Sequence, residues 1–174
     1  MDFRPQHILE LGLGESSKFI STYLDNYLLD SKHTIIEHND VWASGFSESF
    51  EISARSQIRI FPLQEIDVNG HKCTVYKDLE ESLTSSFDLY VIDGPFGSKR
   101  YSRFDLMHLV KRLGKRDEFI IIVDDYNRLG ERDTVDLALK ELSLIGVPHF
   151  HRKYEGAKTQ IVIASSKYRL ATSL

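Results

Sequence analysis

The chain has 174 residues, 41% of them hydrophobic and 28% charged, with 26 acids against 22 lysines and arginines for a formal net charge of −4. That length suits one hydrophobic core of about 100 to 200 residues, and the balance excludes disorder as the main state and disfavours the phosphate attraction of a nucleic-acid binder. A lone cysteine, Cys73, excludes an internal disulfide and any multi-cysteine metal site.

The opening Met-Asp-Phe-Arg-Pro-Gln-His has no apolar run of a signal peptide, and no stretch reaches the roughly 18 apolar residues of a membrane span, so the expected compartment is the cytoplasm, with no membrane partner. His7 to Leu11 is a short apolar run ending in Gly12-Leu13-Gly14, a strand and then a turn. From Ser16 to Leu29, apolar residues at Phe19, Ile20, Tyr23, Leu24, Tyr27 and Leu28 fall at three- and four-residue steps and predict a helix. Thr34 to Glu37 is a β-branched run ending in a carboxylate, which completes one βαβ unit. Val41 to Arg55 holds two serine–glutamate patches and shows no period.

Gln57 to Pro62 and Lys72 to Tyr76 flank Asn69-Gly70, a dipeptide that tolerates positive φ, and strand-like pairing is expected about it. Phe87 to Ile92 and Phe119 to Val123 are almost wholly apolar, which suits parallel strands buried on both faces. Arg103 to Leu113, closed by Gly114, and Glu131 to Leu144, closed by Gly146 and Pro148, predict helices. Pro148 to Tyr154 and Thr159 to Ala164 are joined by a loop too short for a parallel crossover. The fold expected is therefore α/β, a single domain over 1–174: a Rossmann-like, doubly wound, mostly parallel sheet with a C-terminal antiparallel strand pair. Exposed edge strands at the chain's end leave a homodimer open.

In an open α/β sheet, ligands bind outside the carboxyl ends of the strands. Glu10-Leu11-Gly12-Leu13-Gly14-Glu15-Ser16-Ser17 allows close backbone approach, with Ser16 or Ser17 capping the following helix. The third glycine of a dinucleotide fingerprint falls at Ser17, and Glu15 disfavours a pyrophosphate. A nucleoside without phosphates fits better, and S-adenosylmethionine (SAM) is one. Glu37-His38 follows Gly14 by 23 residues, where a carboxylate can accept from ribose hydroxyls. Singly, the loop also admits a tight turn with no ligand and Glu37 a solvated acid; their joint spacing is what points to a nucleoside.

Asp93 and Asp124-Asp125 end the two apolar strands. If those strands are neighbours, three carboxylates converge and repel unless a cation or proton intervenes, and hard oxygens suit Mg²⁺, Ca²⁺ or Mn²⁺. The alternative is that Asp93 and Asp125 cap turns while Asp124 binds a loop amide. His38 and His108 are candidate bases, although a lone histidine is more often structural. Trp42 and Phe96 are candidates for adenine contact or for packing. Arg100, Arg103 and Arg128 suit a carboxylate or phosphate on an acidic substrate, or a solvated face.

Glu10-x-Gly12-x-Gly14, Glu37 and Phe87 to Asp93 resemble the first motif, the ribose-binding acid and the fourth motif of class I SAM-dependent methyltransferases, over about His7 to Ala164. Ile92-Asp93-Gly94 with Ile122-Val123-Asp124-Asp125-Tyr126 resembles the metal-dependent O-methyltransferases of the catechol and macrocin types. Asp93-Gly94-Pro95-Phe96-Gly97 followed by Arg100-Tyr101-Ser102-Arg103 is similar to sugar and polysaccharide methyltransferase-like proteins. The resemblance implies SAM held by Glu10, Gly12, Gly14, Ser16, Ser17, Glu37, His38 and Asp93. It implies Mg²⁺ on Asp93, Asp124 and Asp125, and methylation of a hydroxyl on a small-molecule or carbohydrate acceptor. No lysine follows Asp93 at the spacing of the catechol enzymes' base, so Lys99 beside Asp93, or a metal-bound alkoxide, is expected to serve. An NAD- or nucleotide-sugar-binding Rossmann protein and a catalytically inactive SAM-binding module stay open. Methylation of nucleic acid is disfavoured by charge and by the lack of an Asn-Pro-Pro-Tyr or Asp-Pro-Pro-Tyr motif.

Overall fold

Apolar strands and amphipathic helices alternate as their periods predict, and the computed structural model describes residues 3–173. Met1, Asp2 and Leu174, included in the expected domain, lie outside the described residues. β1 (His7–Leu11), α1 (Glu15–Tyr27) and β2 (Lys32–Glu37) form the first βαβ unit, with β1 parallel to β2 from His7 opposite Lys32 to Leu11 opposite Ile36. Ile20 and Leu24 of α1, with Leu28 just beyond it, pack on Ile8, Leu89 and Val91. These are three of the six apolar positions read from the sequence, whereas Phe19, Tyr23 and Tyr27 stand exposed on the helix.

Past β2 the structure corrects two expectations. The stretch without a period holds α2 (Asp40–Ser49), capped by Asn39, whose side chain accepts from the Trp42 N–H at 3.0 Å. Only Ala43 and Phe46 of α2 are buried, so the helix carries too narrow an apolar stripe to show a period. Gln57–Pro62 does not pair across Asn69-Gly70: β3 (Ser56–Ile60) joins the main sheet parallel to β2. The hairpin instead pairs β4 (Leu63–Val68) with β5 (His71–Tyr76). Asn69 at φ 53° and Gly70 at φ 78° supply the two left-handed residues that a type I′ hairpin turn requires. Exposed Gln64, Glu65 and Asp67 disguise β4 as a loop.

The remaining elements are α3 (Leu79–Ser82), β6 (Leu89–Ile92), α4 (Asp105–Lys111), β7 (Ile120–Val123), α5 (Leu129–Leu144), β8 (His149–Glu155), β9 (Thr159–Ser165) and a closing 3-10 helix (Ser166–Thr172). The main sheet runs β3-β2-β1-β6-β7-β9-β8, all parallel up to β7, with β9 antiparallel to both β7 and β8. α4 and α5 pack on Leu9, Leu11, Ile92, Ile121 and Val123, while α1 and α2 cover the opposite face. This is the doubly wound, mostly parallel sheet with an antiparallel end. From β1 the chain proceeds outward one way through β2 and β3 and the other way through β6 and β7, so the loops after β1 and β6 diverge and leave a crevice between them. Among the described residues, no helix is long and apolar enough to cross a membrane.

Candidate active site

The crevice is a cleft of about 440 Å³. Its floor is backbone: a Cβ on Gly12 would come within 3.0 Å of the Asp93 carbonyl carbon, and one on Gly94 within 2.8 Å of the Gly12 nitrogen. The loops after β1 and β6 meet at this floor before they diverge, because both positions lack a side chain, and Gly12 also takes φ 98°. Glu37 and His38 form the β2 wall, with Trp42 and Phe96 at the mouth.

Glu37 is buried and shapes the loops around it. Its Oε2 accepts from the Leu13 N–H at 3.1 Å, and its Oε1 from the N–H groups of His38 and Asn39 at 2.7 and 2.8 Å. A carboxylate has about four lone-pair sites, so Oε2 keeps one for a ligand hydroxyl. Trp42 Nε1 donates to the Leu13 carbonyl at 2.9 Å, and the His38 ring meets Phe96 edge to face at 4.5 Å. These bonds hold the aromatic mouth in place.

Glu10, Ser16 and Ser17, expected to touch the cofactor, stand behind the loop and line no part of the cleft. Strand alternation turns Glu10 to the face opposite Leu9 and Leu11, where it is fully buried, 3.0 Å from His33 Nε2, and accepts from the Ser16 hydroxyl. Ser17 Oγ accepts from the Gly14 N–H at 3.0 Å. These three residues fix the loop's shape, while Gly12, Gly14, Glu37, His38 and Asp93 face the cleft.

Because β6 and β7 are neighbours, Asp93, Asp124 and Asp125 converge, with oxygens of the three within 4.8 Å of one another. Arg103, only 3% exposed, donates to the carbonyls of Ile92 and Asp124 at 3.0 and 2.7 Å. It also donates to Asp93 Oδ1 and Asp125 Oδ2, each at 2.9 Å. Lys158, from the turn between β8 and β9, hydrogen-bonds Asp124 Oδ2 and stands 3.9 Å from Asp93 Oδ2 and 4.0 Å from Asp125 Oδ1. Arg128 meets Asp125 Oδ2 at 2.9 Å.

These contacts set the titration of the group. Burial pushes Asp93 above the usual carboxylate range, against the pull of Arg103. Burial acts on Asp124 in the same direction, but the hydrogen bonds from Lys158, the Asp125 amide and Gln160 bring it below that range. The bond to Asp124 raises the Lys158 ammonium above its ordinary value. Arg103 and Asp125 both sit at φ 56°, a left-handed strain that is typical of functional sites, and the hydrogen bond between them joins the two strained positions.

Lys99 is exposed and does not reach the cleft, because the loop that carries it folds onto α5. The Ser102 N–H donates to the Gly130 carbonyl at 3.0 Å, and the Ser102 hydroxyl to Glu131 Oε1 at 3.0 Å. Arg100 pairs with Asp133 on α5, and His108 lies 2.8 Å from Glu80. Of the three arginines, Arg103 is the one buried among the aspartates. The sequence reading missed Lys158, whose place follows from a pairing of β9 with β7 that no local signal announces.

No protein-family model matches the sequence, and no curated protein matches it. Solved structures do. The chain is similar to an O-methyltransferase from Bacillus cereus in complex with S-adenosylhomocysteine (SAH), at 14% identity and TM-score 0.58 over 93% of this chain and 74% of that one. It is similar to human methyltransferase-like protein 13 in complex with SAH, at 14% identity and TM-score 0.58 over 97% and 79%. It is similar also to a precorrin-6y C5,15-methyltransferase from Geobacter metallireducens, at 14% identity and TM-score 0.56 over 92% and 80%. The fold is that of the class I methyltransferases. In this methyltransferase fold, Gly12, Glu37, Asp93 and Asp124 each follow or end a parallel strand on the side where the crevice opens.

Proposed function

We propose that this chain is a SAM-dependent methyltransferase acting on a hydroxyl of a small-molecule or carbohydrate acceptor. The observation that carries the reading is the meeting, in one cleft, of Glu37, a carboxylate fit for ribose hydroxyls, and Asp93, a carboxylate open to an acceptor. The carboxylates of Glu37, Asp93 and Asp125 outnumber the cleft's two arginines, Arg103 and Arg128, which are both tied to aspartates, so the lining suits a sulfonium better than a pyrophosphate. Trp42 and Phe96 offer apolar surface for a purine.

SAM brings a methyl group already activated on sulfur, so the protein's tasks are alignment and removal of one proton. Arg103 fixes Oδ1 of Asp93, leaving Oδ2 for the acceptor. That carboxylate, made more basic by burial, takes the hydroxyl proton as the oxygen–methyl bond forms and the sulfur departs as a neutral thioether. Lys99, exposed outside the cleft, has no part in this scheme. The Mg²⁺ implied by resemblance does not fit Asp93, Asp124 and Asp125 as they stand, because Arg103, Arg128 and Lys158 already meet their oxygens. No step is routed through a metal.

Incubation with methyl-tritiated SAM and panels of sugars, phenols and diols tests the reading. Label is expected on an acceptor oxygen, falling about 100-fold or more in Asp93→Asn. SAM binding with no transfer to any panel would instead indicate an inactive SAM-binding module.

A further inference from the structure

We propose that the Lys158 ammonium is a built-in cation standing where the sequence resemblance places a divalent ion, and that it keeps Mg²⁺ and Mn²⁺ out of the Asp93–Asp124–Asp125 group. Arg103 limits which oxygens are left. It is 3% exposed and cannot withdraw without taking its donor from the Asp124 carbonyl, while the Ile92 carbonyl would keep the Asp124 N–H at 3.1 Å. It occupies Oδ1 of Asp93 and Oδ2 of Asp125. Four oxygens remain: Asp124 Oδ1, which accepts from the Gln160 amide at 3.3 Å, and Asp93 Oδ2, Asp125 Oδ1 and Asp124 Oδ2, which surround Lys158 Nζ at 3.9 Å, at 4.0 Å and in a direct hydrogen bond. An ammonium has three donors and no acceptor, so it can turn one proton toward each carboxylate.

Charge works in the same direction. With Arg128 on Asp125, the three aspartates face three cations, of which Arg103 and Arg128 also stand 3.7 and 3.9 Å from the buried Glu131 carboxylate. A divalent ion arriving beside them meets repulsion in a partly buried setting where it is weakly screened, and Mg²⁺ sheds its waters reluctantly. Lys158 is the replaceable member: its side chain is 56% exposed on the turn between β8 and β9, and its removal frees all three oxygens together. In methyl transfer, the one part of this inference that rests on the proposed function, the ammonium supplies the positive charge beside the acceptor oxygen that a metal would otherwise supply.

Titration with Mn²⁺, followed by electron paramagnetic resonance of the whole protein without any acceptor, tests the exclusion. Wild type is expected to leave Mn²⁺ free where Lys158→Met binds it about tenfold more tightly or better, equivalent to about 1.4 kcal/mol. Lys158→Arg, which keeps the charge, is expected to behave as wild type, and Lys158→Gln is a second neutral variant should the first fail to fold. Micromolar binding by wild type overturns the proposal. Silence in wild type and both neutral variants overturns it too, since the exclusion would then not belong to Lys158. Ion binding is read directly, so this proposal and the methyltransferase reading can fail separately.

Discussion

At the end of β2, Glu37 accepts three backbone N–H groups and still turns an oxygen to the cleft. Glu37→Gln must set its NH₂ against one of those donors, so two effects are expected together. SAH affinity should fall, and the protein should lose about 1–3 kcal/mol for the unsatisfied group, as read by calorimetry and by melting. A loss of affinity with no loss of stability would mean that the carboxylate does not hold the loop. Asp105 makes a second, independent case. Burial pushes its pKa from 3.8 to about 7, although it accepts from the Tyr76 N–H at 3.1 Å. The folded state holds this proton more tightly than the unfolded chain does, so the contribution to stability is full below pH 3.8 and is lost as the pH rises through about 7. Asp105→Asn keeps an acceptor for Tyr76 and removes the charge. It is expected to melt higher than wild type at pH 8 and no higher at pH 4, and an equal difference at both would refute the assignment.

At the scale of elements, the loop from β6 to α4 carries Phe96 and Arg103 and is pinned to α5 at Gly130. A Cβ there would lie 2.3 Å from the Ser98 carbonyl oxygen and 2.9 Å from Ser102 Cβ. Gly130→Ala is therefore expected to lift the loop, leaving far-ultraviolet circular dichroism unchanged while SAH affinity drops about tenfold, or about 1.4 kcal/mol. Unchanged affinity would show that the loop's docking does not shape the cleft. Elements with a strong period were legible in the sequence, β1, α1, β6, β7 and α5 among them, because burial on a full face imposes it. α2 and β4 were not, since each buries little and its exposed positions are free to be polar. The site divides along the same line. Gly12, Glu37 and the aspartates follow strand ends and could be read, whereas Lys158 reaches them only because Val123 pairs with Ile161 across the sheet. Glu10's turn away from the face of Leu9 and Leu11 was open to inference, since successive side chains of any strand point to opposite faces.

For the whole molecule, the strand order decides where a ligand goes. Sheet growth in opposite directions from β1 and β6 opens one crevice, and helices on both faces hold it rigid. A ligand that binds this folded crevice and not the unfolded chain adds about 2.7 kcal/mol of stability at 100 times its Kd. Calorimetric titration of SAH into the purified protein, with NAD as the control, tests that account most directly. Saturable SAH binding that weakens in Glu37→Gln, survives a chelator and has no counterpart with NAD is the predicted result; no heat with SAH, or binding of NAD in its place, would contradict it.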